Sequence, residues 1–273
     1  MKKALLTLLT FAIIGYSQRT EAANSKPNIL FIFADDMCYE LIRELGHTDI
    51  DTPNLDKLTR QGTTFTHAYN MGSWSGAVCI VSRTMLNTGR SMWRVQDLYK
   101  NLKPEVQQHR FWSMEMRDAG YQTFFTGKWH VRANAEEVFD VAANVRGGMP
   151  KTVKSSYNRP LPGEPDVWSP YDKSLGGFWE GGKHWSEVVA DDAVDFMNIS
   201  KKNDKPFFMY LAFNAVHDPR QVAKEYIEEY PLDRIKMPKS FLPEYPYKEE
   251  MKSGSGLRDE KLGPFPRTEH SVK

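Results

Sequence analysis

Asn28-Ile29-Leu30-Phe31-Ile32-Phe33-Ala34 is apolar from Ile29 onward and stops abruptly at Asp35-Asp36. An apolar run with no alternation is what a strand covered on both faces of a parallel sheet requires. Phe207-Phe208-Met209-Tyr210-Leu211-Ala212-Phe213 repeats the pattern and leads into Asn214-Ala215-Val216-His217-Asp218-Pro219. Helical signals lie between the two. Thr52 to Leu58 opens a helix that Gly62 closes, and Ser82 to Thr88 begins one that stops near Gly89. Gln107 to Ala119 reads as an amphipathic helix ending at Gly120, followed by a strand over Tyr121 to Phe125. Phe65 to Tyr69 reads as a short strand. Trp185 to Ile199 is helical, with Val188, Val189, Ala193, Phe196 and Met197 on one stripe. Strands alternating with helices predict an α/β fold, a mostly parallel sheet sandwiched by helices.

The chain has 273 residues, enough for one large domain or two small ones, and its 40% hydrophobic content supports a sizeable core. A net charge of +1 lacks the basic excess of a nucleic-acid binder. Two cysteines are too few for a disulfide-built scaffold or a four-cysteine zinc site. Lys2 and Lys3 precede an apolar run from Ala4 to Tyr16, and Thr20-Glu21-Ala22-Ala23 offers small residues for cleavage. This predicts a secretory signal peptide over residues 1–22 and a periplasmic or secreted protein. The run is short of the roughly 20 residues of a membrane span, and no later segment supplies one. Gly147 to Gly182, rich in Pro, Gly, Trp and Tyr, reads as a long surface loop that walls a cleft. Its Trp168, Tyr171, Phe178 and Trp179 suit either stacking on a sugar ring or packing onto the core. Pro231 to Lys273 shows no apolar period, and there is no internal repeat.

Four polar clusters follow or adjoin the elements. Asp35-Asp36 stands at the carboxyl end of a strand, where α/β sheets bind ligands. Paired carboxylates favour a hard cation, Ca²⁺ or Mg²⁺, or else solvate a loop or cap a helix. Cys79-Ile80-Val81-Ser82-Arg83 leads into a helix and then into Leu86-Asn87-Thr88-Gly89-Arg90. A cysteine at a helix start beside arginine suits a nucleophile or an anion; the alternatives are a buried thiol or a Cys38–Cys79 disulfide. Gly127-Lys128-Trp129-His130 places a cation and an imidazole two residues apart, suited to an anionic group and to proton transfer. His217 supplies a second imidazole.

Together these residues resemble the sulfatase family of the alkaline-phosphatase-like superfamily. The resemblance runs from Lys26-Pro27-Asn28-Ile29-Leu30 and Asp35-Asp36 through Thr52-Pro53-Asn54-Leu55-Asp56, Cys79 to Gly89 and Gly127 to His130, ending at Ala212 to Pro219. The cysteine segment is similar to the family's Cys-x-Pro-x-Arg signature with a following Thr-Gly. The resemblance implies that Cys79 is oxidised to formylglycine by a formylglycine-generating or anaerobic sulfatase-maturing enzyme. The hydrated aldehyde then attacks sulfur, and the resulting sulfate ester collapses to regenerate the aldehyde. It implies a Ca²⁺ site, in preference to Mg²⁺, with Asp35, Asp36 and Cys79 as ligands. Arg83 is the matching residue for steadying formylglycine, Lys128 for contacting sulfate and His130 for starting the collapse. His217 matches the histidine near the leaving oxygen. The implied substrate is a sulfated small molecule or carbohydrate.

Two departures stand out. Val81 replaces the signature proline, in the segment that the maturing enzyme reads. No apolar strand ending in an Asp-Asn or Asp-His pair follows His217, and Arg258-Asp259-Glu260 is not preceded by one. The expectation is a sulfatase N-terminal catalytic domain over residues 23–273, without the second metal-ligand strand and the C-terminal subdomain. Ca²⁺ takes six to eight oxygens, so this set leaves the shell short. A phosphate or phosphonate ester hydrolase and an inactive secreted anion-binding fragment are the competing expectations.

Overall fold

The computed structural model describes residues 26–76, 78–156 and 165–237, with Lys239 and Phe241. The signal segment at residues 1–22 and the stretch beyond Phe241 lie outside the described residues. Four strands, β1 (Ile29–Phe33), β2 (Gln122–Lys128), β3 (Val141–Arg146) and β4 (Phe207–Ala212), form one parallel sheet in the order β1-β4-β2-β3. The helices are α1 (Pro53–Gln61), α2 (Val78–Thr88), α3 (Met92–Leu98), α4 (Lys103–Gln107), α5 (Trp112–Asp118), α6 (Ala135–Val138), α7 (Trp185–Ser200) and α8 (Lys224–Glu228).

Side chains alternate across the sheet, so neighbours on one strand serve two cores. Phe125 and Tyr210 point to one face, with Phe111, Trp129 and Phe139 packed among them. Phe31 and Phe208 meet the Trp112 ring edge-on at 5.0 and 4.8 Å. Phe124, Met209 and Leu211 point to the other face, against Val189, Ala193 and Phe196 of α7. Helices on both faces of a parallel sheet are the predicted architecture.

Several local expectations change. β1 is covered on one face only: Leu30 and Ile32 are 52% and 53% exposed. It is the edge strand, and α7 packs over β2, β3 and β4 instead. Phe65 to Tyr69 forms no strand; Phe65 and Tyr69 are exposed there. The helix expected over 107–119 is confined to α5; α4 ends at Gln107, and between them His109 takes a left-handed φ of 52° that a helix cannot continue through. α2 starts at Val78, four residues before Ser82, which brings Cys79 into its first turn. β2 runs on past Phe125 to Lys128, and β3 is a strand that apolar patterning misses because its residues are only partly buried.

The described parts of the loop after β3, residues 147–156 and 165–182, pack rather than splay. Trp168, Phe178 and Trp179 are buried, while Tyr171 is exposed. Gln221 pins it, accepting from Phe178 N and donating to Gly176 O at 2.8 Å. No helix among the described residues is long and apolar enough to cross a membrane.

Candidate active site

Three strands deliver their next residues to one place. At the end of β1, Asp35 N donates to Ala215 O at 3.0 Å, and Val216 N donates to Asp35 O at 2.9 Å. These bonds lock the turn after β1 to the turn after β4, which carries Asn214 and His217. Asp36 has φ 58°, a conformation that Asp tolerates better than most residues. Asp35 is therefore buried and Asp36 exposed.

Lys128, at the end of β2, is 1% exposed and its Nζ donates to Asp35 Oδ2. Arg83, equally buried on α2, donates from Nη1 to Lys128 O and pairs through Nη2 with Asp35 Oδ1 at 3.4 Å. The Phe33 ring lies 5.0 Å from the Arg83 guanidinium. Burial pushes the Asp35 carboxyl up, but the Lys128 hydrogen bond and the charges of Arg83, Lys128 and His217 outweigh it, and the group stays ionised below its usual range. Two cations against one buried carboxylate leave this spot with an excess of positive charge suited to an anion.

Cys79 does not gain the thiolate character expected of a helix start beside arginine. Burial and the Asp35 charge push its thiol up, and a neutral thiol is a poor nucleophile. Cys38 and Cys79 are both free, so the disulfide alternative is absent from the structure. His130 moves the other way: burial, then Lys128 and Arg83, push its imidazole down, so it is neutral at pH 7. Its Nδ1 is buried without a hydrogen-bond partner, as are Nε of Arg83 and Oδ1 of Asn214. Orphaned polar atoms gathered at one site are donors and acceptors held ready for a ligand.

One ligand atom each from Asp35, Cys79 and His217 lies within 4.8 Å of the others, close enough to share a metal ion. Asp36 is outside this trio, but its Oδ2 stands 3.5 Å from His217 Nε2. The oxygen donors of Asp35 and Asp36 fit part of the shell of a hard cation. Asp35 is already neutralised by Lys128 and Arg83, so a cation has to share it.

The structure also supplies residues that motif reading passed over. Asn214 Nδ2 reaches Gly148 O at 3.5 Å, and Gly148 lies so close to His130 that a Cβ there would come within 2.9 Å of the ring. Asn214 was visible as a polar residue after β4, but nothing in the sequence linked it to Gly148. A cavity of about 990 Å³ opens beside Asp36 and His217, walled by Phe178, Trp179, His184, Val222 and Tyr226.

Residues 27–240 match the family described as Sulfatase. Among curated proteins, the chain is 26% identical over 219 residues to an N-acetylglucosamine-6-O-sulfatase of Bacteroides thetaiotaomicron, covering 78% of this chain and 35% of that protein. It is 28% identical over 253 residues to an arylsulfatase of Klebsiella aerogenes, covering 84% and 51%. Among solved structures, Ps i-CgsB in complex with k-i-k-neocarrahexaose matches with a TM-score of 0.56 and 28% identity, over 78% of this chain and 50% of that one. A second, solved with its substrate D-glucosamine-2-N,6-O-disulfate, matches at 0.53 with 22% identity over 83% and 42%, a likeness of fold. The chain thus spans about a third to a half of the length of these curated relatives. With the family match extending from just before β1 to beyond α8, over most of the chain, this protein belongs to the sulfatase family.

Proposed function

We propose that the chain carries the catalytic core of a periplasmic or secreted sulfuric ester hydrolase acting on a sulfated small molecule or carbohydrate. The observation that carries this reading is the convergence of Asp35, Cys79 and His217 beside the buried cations Lys128 and Arg83. The relative named N-acetylglucosamine-6-O-sulfatase supports the substrate class.

Residue 79 acts after oxidation to formylglycine, which needs a formylglycine-generating or anaerobic sulfatase-maturing enzyme as partner. The raised thiol supports this, since the unmodified side chain is poorly activated. Asp35, Asp36 and residue 79 would hold Ca²⁺, in preference to Mg²⁺, and the ion would supply Lewis acidity toward an oxygen at position 79. Lys128 offsets the charge of the sulfate, and Arg83 holds the Lys128 carbonyl and position 79 in place. His217 donates a proton to the leaving ester oxygen as the sulfur–oxygen bond breaks. His130, neutral and half-buried, takes the hydroxyl proton at residue 79 that frees the sulfate.

The test compares matched aryl sulfate and aryl phosphate esters, with and without a Ca²⁺ chelator, in wild type and Cys79→Ala. Sulfate-ester cleavage that needs Ca²⁺ and disappears in Cys79→Ala upholds the proposal. Faster cleavage of the phosphate ester assigns the site to phosphate or phosphonate esters. Sulfate binding without turnover, with an ordinary thiol at position 79, assigns it to anion binding.

A further inference from the structure

We infer that Asp192, on the buried face of α7, is a positioning residue that clamps a bulge between β2 and β3 and thereby sets where Lys128 and His130 stand. The strands pair as Thr126 with Ala143 and then Gly127 with Val145, so Asn144 is skipped and has φ 43°. The Asn144 amide donates to Asp192 Oδ1 and Oδ2 at 2.9 and 3.0 Å, and Thr126 Oγ1 donates to Asp192 Oδ2 at 2.5 Å. One carboxylate thus holds both strands at the bulge. Bulges re-aim side chains and are frequent beside active sites.

Pairing resumes beyond it. Lys128 lies opposite Arg146, and Trp129 N donates to Arg146 O at 2.8 Å. Arg146 is tied to the same helix, its guanidinium 4.4 Å from the Trp185 ring centre. Gly127 brings β2 against β4, where a Cβ would fall 2.0 Å from Ala212 O. Lys128 therefore stands two residues past a point fixed from the bulge side by α7 and from the other side by β4. A carboxylate at 9% exposure, hydrogen-bonded by neutral donors with the Arg146 charge near it, costs more to bury than an apolar residue. What it adds is a fixed backbone course before the Lys128–Asp35 pair.

The catalytic meaning of the clamp rests on the proposed sulfatase reading, so the test reads position without turnover. In the ¹⁵N-labelled 273-residue chain, the Lys128 ammonium resonance, assigned by Lys128→Met, reports its buried pairing with Asp35. Asn144→Gly keeps the left-handed backbone and removes the amide; Thr126→Val removes the hydroxyl; Thr126→Ser retains it. Loss of the Lys128 resonance in Asn144→Gly and Thr126→Val, but not in Thr126→Ser, with cooperative unfolding in all three, is the expected result. An unchanged resonance in folded Asn144→Gly and Asp192→Ala overturns the inference. A variant that loses the resonance but keeps full sulfate-ester turnover upholds the clamp and removes Lys128 from the proposed reaction.

Discussion

Lys128 shows how much one residue carries. Its ammonium, Arg83 and Asp35 form a nearly dry group in which removing one member strands the rest. Lys128→Met should cost roughly 3–5 kcal/mol, the range for breaking a buried pair, measured by urea unfolding at pH 7. The pH dependence follows from Asp35. Its folded pKa is lowered, so its contribution is present above the unfolded value near 3.8 and is lost as pH falls through the folded one. Lys128→Met should therefore move the acid unfolding transition to higher pH. His130 gives a second check. Burial and the nearby cations favour its neutral form, so its NMR titration midpoint should lie below 6.5 and rise in Lys128→Met. A midpoint at or above 6.5 in the wild type would contradict its assignment as a base.

At the scale of elements, Gly127 joins fold and site. It has φ 97°, and a Cβ would collide with the β4 backbone. Gly127→Ala should destabilise by at least about 2 kcal/mol in chemical denaturation, since left-handed strain and the clash add. This glycine was legible as part of the Gly127-Lys128-Trp129-His130 cluster, but its reason was not. β1 and β4 were legible because unbroken apolar runs leave few alternatives. β3 was not, because Val141 to Arg146 is a short run of small and β-branched residues broken by Asn144, and it draws its stability from pairing and from the Asp192 clamp. Phe65 to Tyr69 misled in the opposite sense: apolar composition alone does not bring a partner strand. Asp35, Cys79, Lys128 and His217 could be picked out as motif residues. That Asp35 would be buried while Asp36 faced outward depends on a backbone turn that no composition reveals.

At the scale of the whole molecule, the family match covers residues 27–240, whereas the chain spans about a third to a half of its curated relatives. The bare face of β1, with Leu30 and Ile32 outward, is part of the surface that this chain presents. Ca²⁺ binding provides a test at this scale. A ligand that binds the folded state raises its stability by mass action, so Ca²⁺ should raise the melting temperature of the wild type and not that of Asp35→Asn. An equal rise in both would place the ion elsewhere. The central claim concerns a single side chain: the encoded thiol at position 79 is replaced by an aldehyde before the protein acts on sulfur. Peptide mass spectrometry of the segment spanning Cys79, in material that hydrolyses an aryl sulfate, tests it most directly. The account predicts formylglycine at position 79; an unmodified cysteine in active protein would contradict it.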